Sequence, residues 1–350
     1  MSDTNRTESL RAARSRIRRA RRPLDRRSRW AMGALGAVLV ASFLASLSIG
    51  DTVISPVRVI EALFETQGGI HMVVVDWRLP RALAAVFFGA ALALSGTVFQ
   101  TITRNPLGSP DVIGLTTGAY TGALIVMTTA GGSGMSVAIG AVLGGFGTAA
   151  LVALLVAGRG ALGYRIVIVG IGVSAVLAAL NAWMLLRARR EVAVSAAIWE
   201  AGSLNGVGWE QALLPIGVVS VLMIALWFAR RGLWLVELGD DIGVSLGGRM
   251  GLTKAGLVAL AVGLIGVVTA VIGPIAFVAL SAPHLARLIV KNGPAHLFAT
   301  AMTGAALLSL ADIIGQNAVP KHALPVGVVT LVLGGVYLIF LVARTARRRF

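Results

Sequence analysis

The chain has 350 residues, of which 57% are hydrophobic and 13% charged, with a mean hydropathy of +0.85. A soluble domain carries roughly 25% charged residues, so this composition excludes an ordinary water-soluble enzyme or binding module. The absence of cysteine excludes disulfides, thiolate metal centres and cysteine nucleophiles, while the net charge of +16 is weighted toward one tail.

Residues 1–29 hold eleven arginines ahead of the first apolar run. They read as a cytoplasmic topogenic tail lying near anionic membrane lipid, and without interleaved aromatics they do not read as a nucleic-acid arm. Ten apolar stretches follow, at 31–49, 82–103, 112–130, 136–157, 165–186, 210–229, 254–272, 274–290, 296–315 and 325–343. Stretches of about 20 residues match the ~30 Å of a bilayer core at a helical rise of ~1.5 Å per residue. The ~10-residue polar/apolar alternation of a membrane β-barrel is not present. With the N-terminus inside, 24 of the 31 Lys and Arg fall in inner segments and seven in outer ones. The expected fold is therefore an all-α polytopic membrane protein with about ten transmembrane helices and both termini cytoplasmic. Its parts are the basic tail 1–29, a transmembrane domain 30–343 with its longest inner loop at 230–253, and a basic tail 344–350.

Two features interrupt the apolar pattern. Within 254–290 the only break is "VIGPIAF", where Gly273-Pro274 either separates two short helices or kinks one long one. Between the second and third stretches lies "RNPLGSPDVIG" (104–114). Pro106 and Pro110 forbid continuous helix there, Asn105 offers a backbone-bridging amide, and Asp111 sits near the positive end of the next helix. Glycines recur at small-xxx-small spacing, as Gly114/Gly118/Gly122, Gly140/Gly144 and Gly170/Ser174, which marks closely packed helix faces.

Chemistry-bearing groups are few. No G-x-x-x-x-G-K-[ST] phosphate loop occurs, and His71, His284, His296 and His322 lack metal-ligand spacing. Asp312 is the one acid expected at clear membrane depth, with Asn181 as its closest polar counterpart in another span. A polytopic chain with no energy source of its own reads as a conduit driven by a partner docked on its cytoplasmic face.

Five separated blocks carry a resemblance. "WRLPRALAAVFFGAALALSGTVFQTITRNPLGSPDVIGLTTGAYTGA" (77–123), "YRIVIVGIGVS" (164–174), "LGDDIGVSLG" (238–247), "GPIAFVALSAPHLARL" (273–288) and "LPVGVVTLVLGGVYLIFL" (324–341) resemble the iron-chelate and cobalamin family of ABC importer permeases. "MVVVDWRLPR", "NPLGSPDVIG" and "AGSLNG" (201–206) lie closest to the ferric-enterobactin branch. The resemblance implies a cobalamin-importer-permease-like bundle working with a second permease, two ABC ATPases and an extracytoplasmic substrate-binding lipoprotein. The branch favours a paralogous second permease over an identical copy. ATP would be bound by the partners, so this subunit is expected to carry no cofactor, no metal site and no catalytic residue.

The resemblance also implies site roles. Asn105 and Leu107 belong to an inner gate, Leu107 blocking a pore by dewetting. A second gate element falls at Gly163 and Tyr164, although the bulky Tyr164 departs from the small hydroxyl residues of relatives. Asp240, Asp241, Gly243 and Gly247 form the segment that couples to an ATPase. Gly243 replaces the usual alanine there, at an expected cost of roughly 0.5–1 kcal/mol in helix stability. Arg78 and Arg81, with Lys321 as a third contact, would meet acidic residues of the binding protein. The expected function is ATP-driven import of a ferric siderophore. The alternatives are cobalamin, haem or another chelate as cargo, or an ion-coupled secondary carrier that relies on Asp312.

Overall fold

A computed structural model describes residues 29–50, 52–65, 68–111, 113–129, 132, 134–156, 162–290, 297–319 and 322–346. Among these the regular structure is entirely helical. Helix α1 spans Arg29–Ser48. Pro56–Phe64 forms α2, whose N-cap Ser55 accepts a hydrogen bond from the Arg58 backbone. Helix α3 (Gly69–His71) runs through a π-helix (Met72–Arg78) into α4 (Leu79–Thr103). Then come α5 (Leu115–Thr129), α6 (Gly134–Val156), α7 (Leu162–Arg187), α8 (Arg190–Glu200) and α9 (Trp209–Phe228). Two short helices, α10 (Arg230–Leu238) and α11 (Asp240–Ser245), precede α12 (Met250–Ile272), α13 (Val278–Ile289), α14 (Leu297–Asn317) and α15 (Val326–Ala346).

Each of the ten apolar stretches becomes a helix, but not each is long. Seven of the described helices are long and apolar enough to cross a membrane, and Val278–Ile289 and the Val326–Ile339 part of α15 are shorter apolar segments. Helix α5 has only 15 residues, about 22 Å at the helical rise. Described non-helical backbone precedes α5 and, at 273–277, α13.

Helix α4 is the axis of the bundle. It packs against α7, α9, α10, α12, α13 and α14, and 18 of its 25 residues are buried. Small residues make this crowding feasible. A Cβ on Gly89 would collide with the Gly304 carbonyl of α14, and one on Gly304 with the Gly89 carbonyl. Gly96 is equally close to the Ala279 backbone of α13. The glycine spacing seen in the sequence has the same use between α5 and α6, where Gly118 faces Gly144 and Thr148, and Gly122 faces Gly140 and Gly144.

The Gly273-Pro274 break is a true separation. Helix α12 ends at Ile272, residues 273–277 are unwound, and α13 starts after Phe277. Gly273 takes φ +74°, a left-handed conformation that suits glycine, and a Cβ there would strike the Trp199 carbonyl. The "AGSLNG" segment closes over the break. Ser203 donates its backbone N–H to Ile272 O at 2.7 Å, and Gly327 donates to Gly202 O at 3.0 Å. Backbone groups freed by the break thus find partners inside the protein, as a low-dielectric surrounding requires.

Gly122→Val should drive α5 from α6 and destabilise the bundle by about 1–3 kcal/mol, read as a lowered unfolding temperature in detergent. Gly147→Ala on the exposed face of α6, where a Cβ meets nothing within 4 Å, should be neutral or stabilising by up to ~1 kcal/mol.

Candidate functional site: a polar cavity between two helix breaks

The 104–114 connection is pinned by its own polar groups. Arg104 ends α4 in the left-handed conformation at φ 49°. Asn105 donates its backbone N–H to Gln100 O at 3.2 Å, and its Oδ1 accepts from the Leu107 backbone at 2.9 Å. Gly108 donates back to Asn105 O at 2.9 Å. The turn leaves the Leu107 side chain at the tip of the connection, 52% exposed. Gly163 and Tyr164 fall in the first turn of α7, and their side chains lie outside the described residues, as does Lys321.

Beyond the turn the connection dips back into the bundle before α5 begins. A cavity of about 480 Å³ opens there. Asp111, Thr116, Thr117 and Tyr120 line one wall and Asn181 of α7 another, while Glu200, the unwound Pro274 and Gly327 close the far end. Most of the lining is aliphatic. Against it stand three orphaned polar atoms: Asp111 Oδ1, Asn181 Oδ1 and the Tyr120 hydroxyl are sealed from solvent and have no hydrogen-bond partner. Tyr120 faces Glu200 and stacks on Trp199 with ring centres 6.0 Å apart. Burial pushes the Asp111 carboxyl up to about 7, with a hydrogen bond from Thr116 opposing the shift. The sequence offered Asp111 only as a residue near a helix start. Asp111 is half-buried with Oδ1 sealed, and this placement depends on the return of the connection into the bundle, which has no local signature.

Asp312 is buried, but its partner is not Asn181. Arg81 grips it bidentately, with Nε 3.0 Å from Oδ2 and Nη2 2.8 Å from Oδ1, and Gln316 donates to Oδ2 at 2.7 Å. The Asp312 side chain is 1% exposed and that of Arg81 17%. This fork ties the start of α4 to α14, so the acid is fully satisfied and Asn181 belongs to the cavity instead. Arg78 is similarly engaged, donating to Leu47 O at 2.8 Å and to Thr52 O at 2.7 Å. Both arginines are therefore built into the chain's own packing at this end of the bundle.

The 230–253 segment folds as α10 and α11 around Gly239 (φ 108°) and ends at Gly247 (φ 81°). Asp240 and Asp241 occupy the first turn of α11. Asp240 reaches two cations, Lys254 Nζ on α12 at 2.7 Å and Arg104 Nη2 at 3.4 Å. Lys254 is 8% exposed, and the carboxylate is what makes its burial tolerable. Gly243 is buried against Met250, whose Sδ a Cβ would strike. The helix-propensity cost expected of Gly243 is thus offset by close packing, which an alanine would have to displace. Ile242, Val244 and Leu246 point outward from the same segment.

One group has no counterpart in the sequence reading. Arg287 of α13 donates to Gln100 Oε1 of α4, beside Glu237 of α10 and Tyr337 of α15. Burial pushes the Glu237 carboxyl up, with Arg287 acting against it. No local pattern reveals the glutamine that Arg287 meets across 187 residues.

Comparison with known proteins bears on this arrangement. The profile of the FecCD transport family matches residues 38–344. The chain is 40% identical over 316 residues to the ferric enterobactin transport system permease protein FepG of Escherichia coli (strain K12), covering 90% of this chain and 96% of that protein. It is 36% identical over 329 residues to the ferric enterobactin transport system permease protein FepD of the same organism, covering 90% and 95%. A solved metal-chelate type ABC transporter in an inward-facing conformation superposes with a TM-score of 0.78 at 27% identity, covering 90% of this chain and 99% of that one.

Removing one partner of the buried fork should expose its value. Asp312→Ala strands Arg81 and should cost about 3–5 kcal/mol, whereas Arg81→Met with Asp312→Leu should recover most of the loss in detergent thermal unfolding. Asp240→Ala leaves Lys254 buried and unpaired and should cost about 1–3 kcal/mol. The exposed Asp241→Ala should stay within about 0.5 kcal/mol in the same assay.

Proposed function

This chain belongs to the FecCD transport family, and from that premise we propose that it is the ten-span permease subunit, both termini cytoplasmic, of an ABC importer for a catecholate, enterobactin-like ferric siderophore. It is a multi-pass protein of the cytoplasmic membrane and an iron-chelate permease, and its relatives are permease subunits rather than ATPases. The observation that carries the reading is the cavity joining Asp111, after the α4 break, to Glu200 and the α12 break. A half-open, mostly aliphatic hollow framed by two helix interruptions suits a bulky chelate that must slip through and leave.

In this reading the cavity is one half of a passage completed by a second permease, with a paralogue favoured because the two enterobactin permeases named above are distinct chains. The outward-facing Ile242 and Val244 of α11, with Leu246 just after it, give an ATPase an apolar surface to grip. Movement there reaches the gate residues Asn105 and Leu107 through Asp240 and Arg104, which link the two segments directly. Gly163 and Tyr164 complete the gate from the start of α7. The binding protein docks at the other end, around Arg78, Arg81 and Lys321. Since Arg81 is held by Asp312, its contribution there is to shape the rim as much as to offer charge. The same Asp312–Arg81 pairing weakens the ion-coupled carrier reading, because the carboxylate is already engaged by a guanidinium of the same chain.

Uptake of iron-labelled tris-catecholate by proteoliposomes tests the assignment. Flux should need ATP, both ATPases, the second permease and the binding protein, and should vanish with this chain alone. Flux through the isolated chain, or flux driven by a proton gradient without any ATPase, would refute it.

A further inference from the structure

The cavity holds more carboxylate than its neighbours neutralise. Asp111 and Glu200 both line it, and among the described lining residues there is no Lys, Arg or His. The polar groups that line the cavity with Asp111 are Thr116, Thr117 and Tyr120 of α5, Asn181 of α7 and Glu200 of α8, and Thr116 hydrogen-bonds it. The nearest cation in the same connection, Arg104, is turned to Asp240 instead. Asp111 Oδ1 and Asn181 Oδ1 remain without partners, and Asn181 is 4% exposed. Two acceptor oxygens kept dry beside an open hollow are costly unless a visiting molecule or a proton satisfies them.

We propose that Asp111 is a charge filter in the passage: protonated, it and Asn181 hydrogen-bond the outer oxygens and amides of the chelate, and ionised, it holds anionic chelates back. The proposal rests on the reading of the cavity as the chelate path and adds the residue that discriminates within it. Its chemistry follows from the cargo class. Three catecholate dianions around one ferric ion leave a net negative complex, and a carboxylate in the same low-dielectric space repels it strongly. A carboxylic acid in that place does the opposite, because its O–H donates to the catecholate oxygens.

The working range follows from the sealing of the Asp111 carboxyl at Oδ1. With its carboxyl near 7 rather than in the ordinary carboxylate range, the group is neutral below that pH and ionised above it. Transport of an anionic chelate should therefore be favoured on the acidic side of neutrality and lost as the pH rises. Glu200 lies at the far end of the cavity beside Tyr120, so its charge adds to the opposition that the chelate meets once Asp111 ionises.

The experiment uses the assembled importer in proteoliposomes at equal pH on both faces, with ferric tris-catecholate as probe. Wild-type uptake should fall about tenfold from pH 6 to pH 8, as the neutral fraction of Asp111 drops from roughly nine-tenths to roughly one-tenth. Asp111→Asn should abolish that dependence, its uptake at pH 8 matching its own uptake at pH 6, while Asp111→Glu should retain it. Asn181→Asp, which adds a carboxyl to the same wall, should lower uptake at pH 8 further and serves as the test if Asp111→Asn fails to assemble. An Asp111→Asn importer with the wild-type slope, or an Asn181→Asp importer indistinguishable from wild type at pH 8, would overturn the filter. Absence of chelate uptake by the wild-type importer at every pH would instead refute the siderophore-permease reading, so the two failures are separable.

Discussion

Close backbone contact between helices is the constraint on which the rest of this structure depends. In lipid the hydrophobic effect gives no reason for one apolar helix to prefer another, so association rests on dispersion and on how near two backbones approach. Gly89 against Gly304 and Gly96 against Ala279 bring α14 and α13 onto α4 with no side chain between them. That intimacy fixes the positions of helices too short to span by themselves. It also surrounds the break with protein, so the Ile272 carbonyl accepts from Ser203 and the Gly202 carbonyl from Gly327 rather than facing hydrocarbon.

The same low dielectric sorts the acids into different roles. Asp312 is clasped by a guanidinium fork and an amide, and becomes a strut between α4 and α14. Asp240 is half-exposed and holds the buried Lys254, so it stabilises a segment that also carries an apolar outer face. Asp111 has a hollow before it and, among the described lining residues, no cation, and is left to titrate. Three aspartates of one intrinsic acidity thus differ because their partners differ, and partners are set by packing.

The segments assigned to coupling, gating and passage are physically contiguous. Arg104 caps α4, touches Asp240 of α11 and is bonded through its peptide to Asn105. Asn105 shapes the turn bearing Leu107, and the chain then continues to Asp111 in the cavity wall. A displacement of α11 has a short mechanical route to the cavity mouth, formed of one ion pair and seven residues of constrained backbone. The link is direct contact rather than inferred correlation, and its strength is open to mutation at either charge.

Much of the fold was legible in the residues alone. Ten apolar stretches marked ten helices within a few residues, Gly273-Pro274 marked a break, and glycine spacing marked the α5–α6 contact, because length, proline and small-residue periodicity act locally. The motif blocks likewise placed the chain in its family, since each block is a run of neighbours. What the tertiary structure alone decided is pairing across the chain. Arg81 meeting Asp312 over 231 residues, Arg287 meeting Gln100 over 187, and Asp111 turning inward toward Asn181 all depend on which helix faces lie together. A linear pattern records which side chains carry charge. Only the packed bundle determines which of those charges is satisfied and which is left facing the cavity.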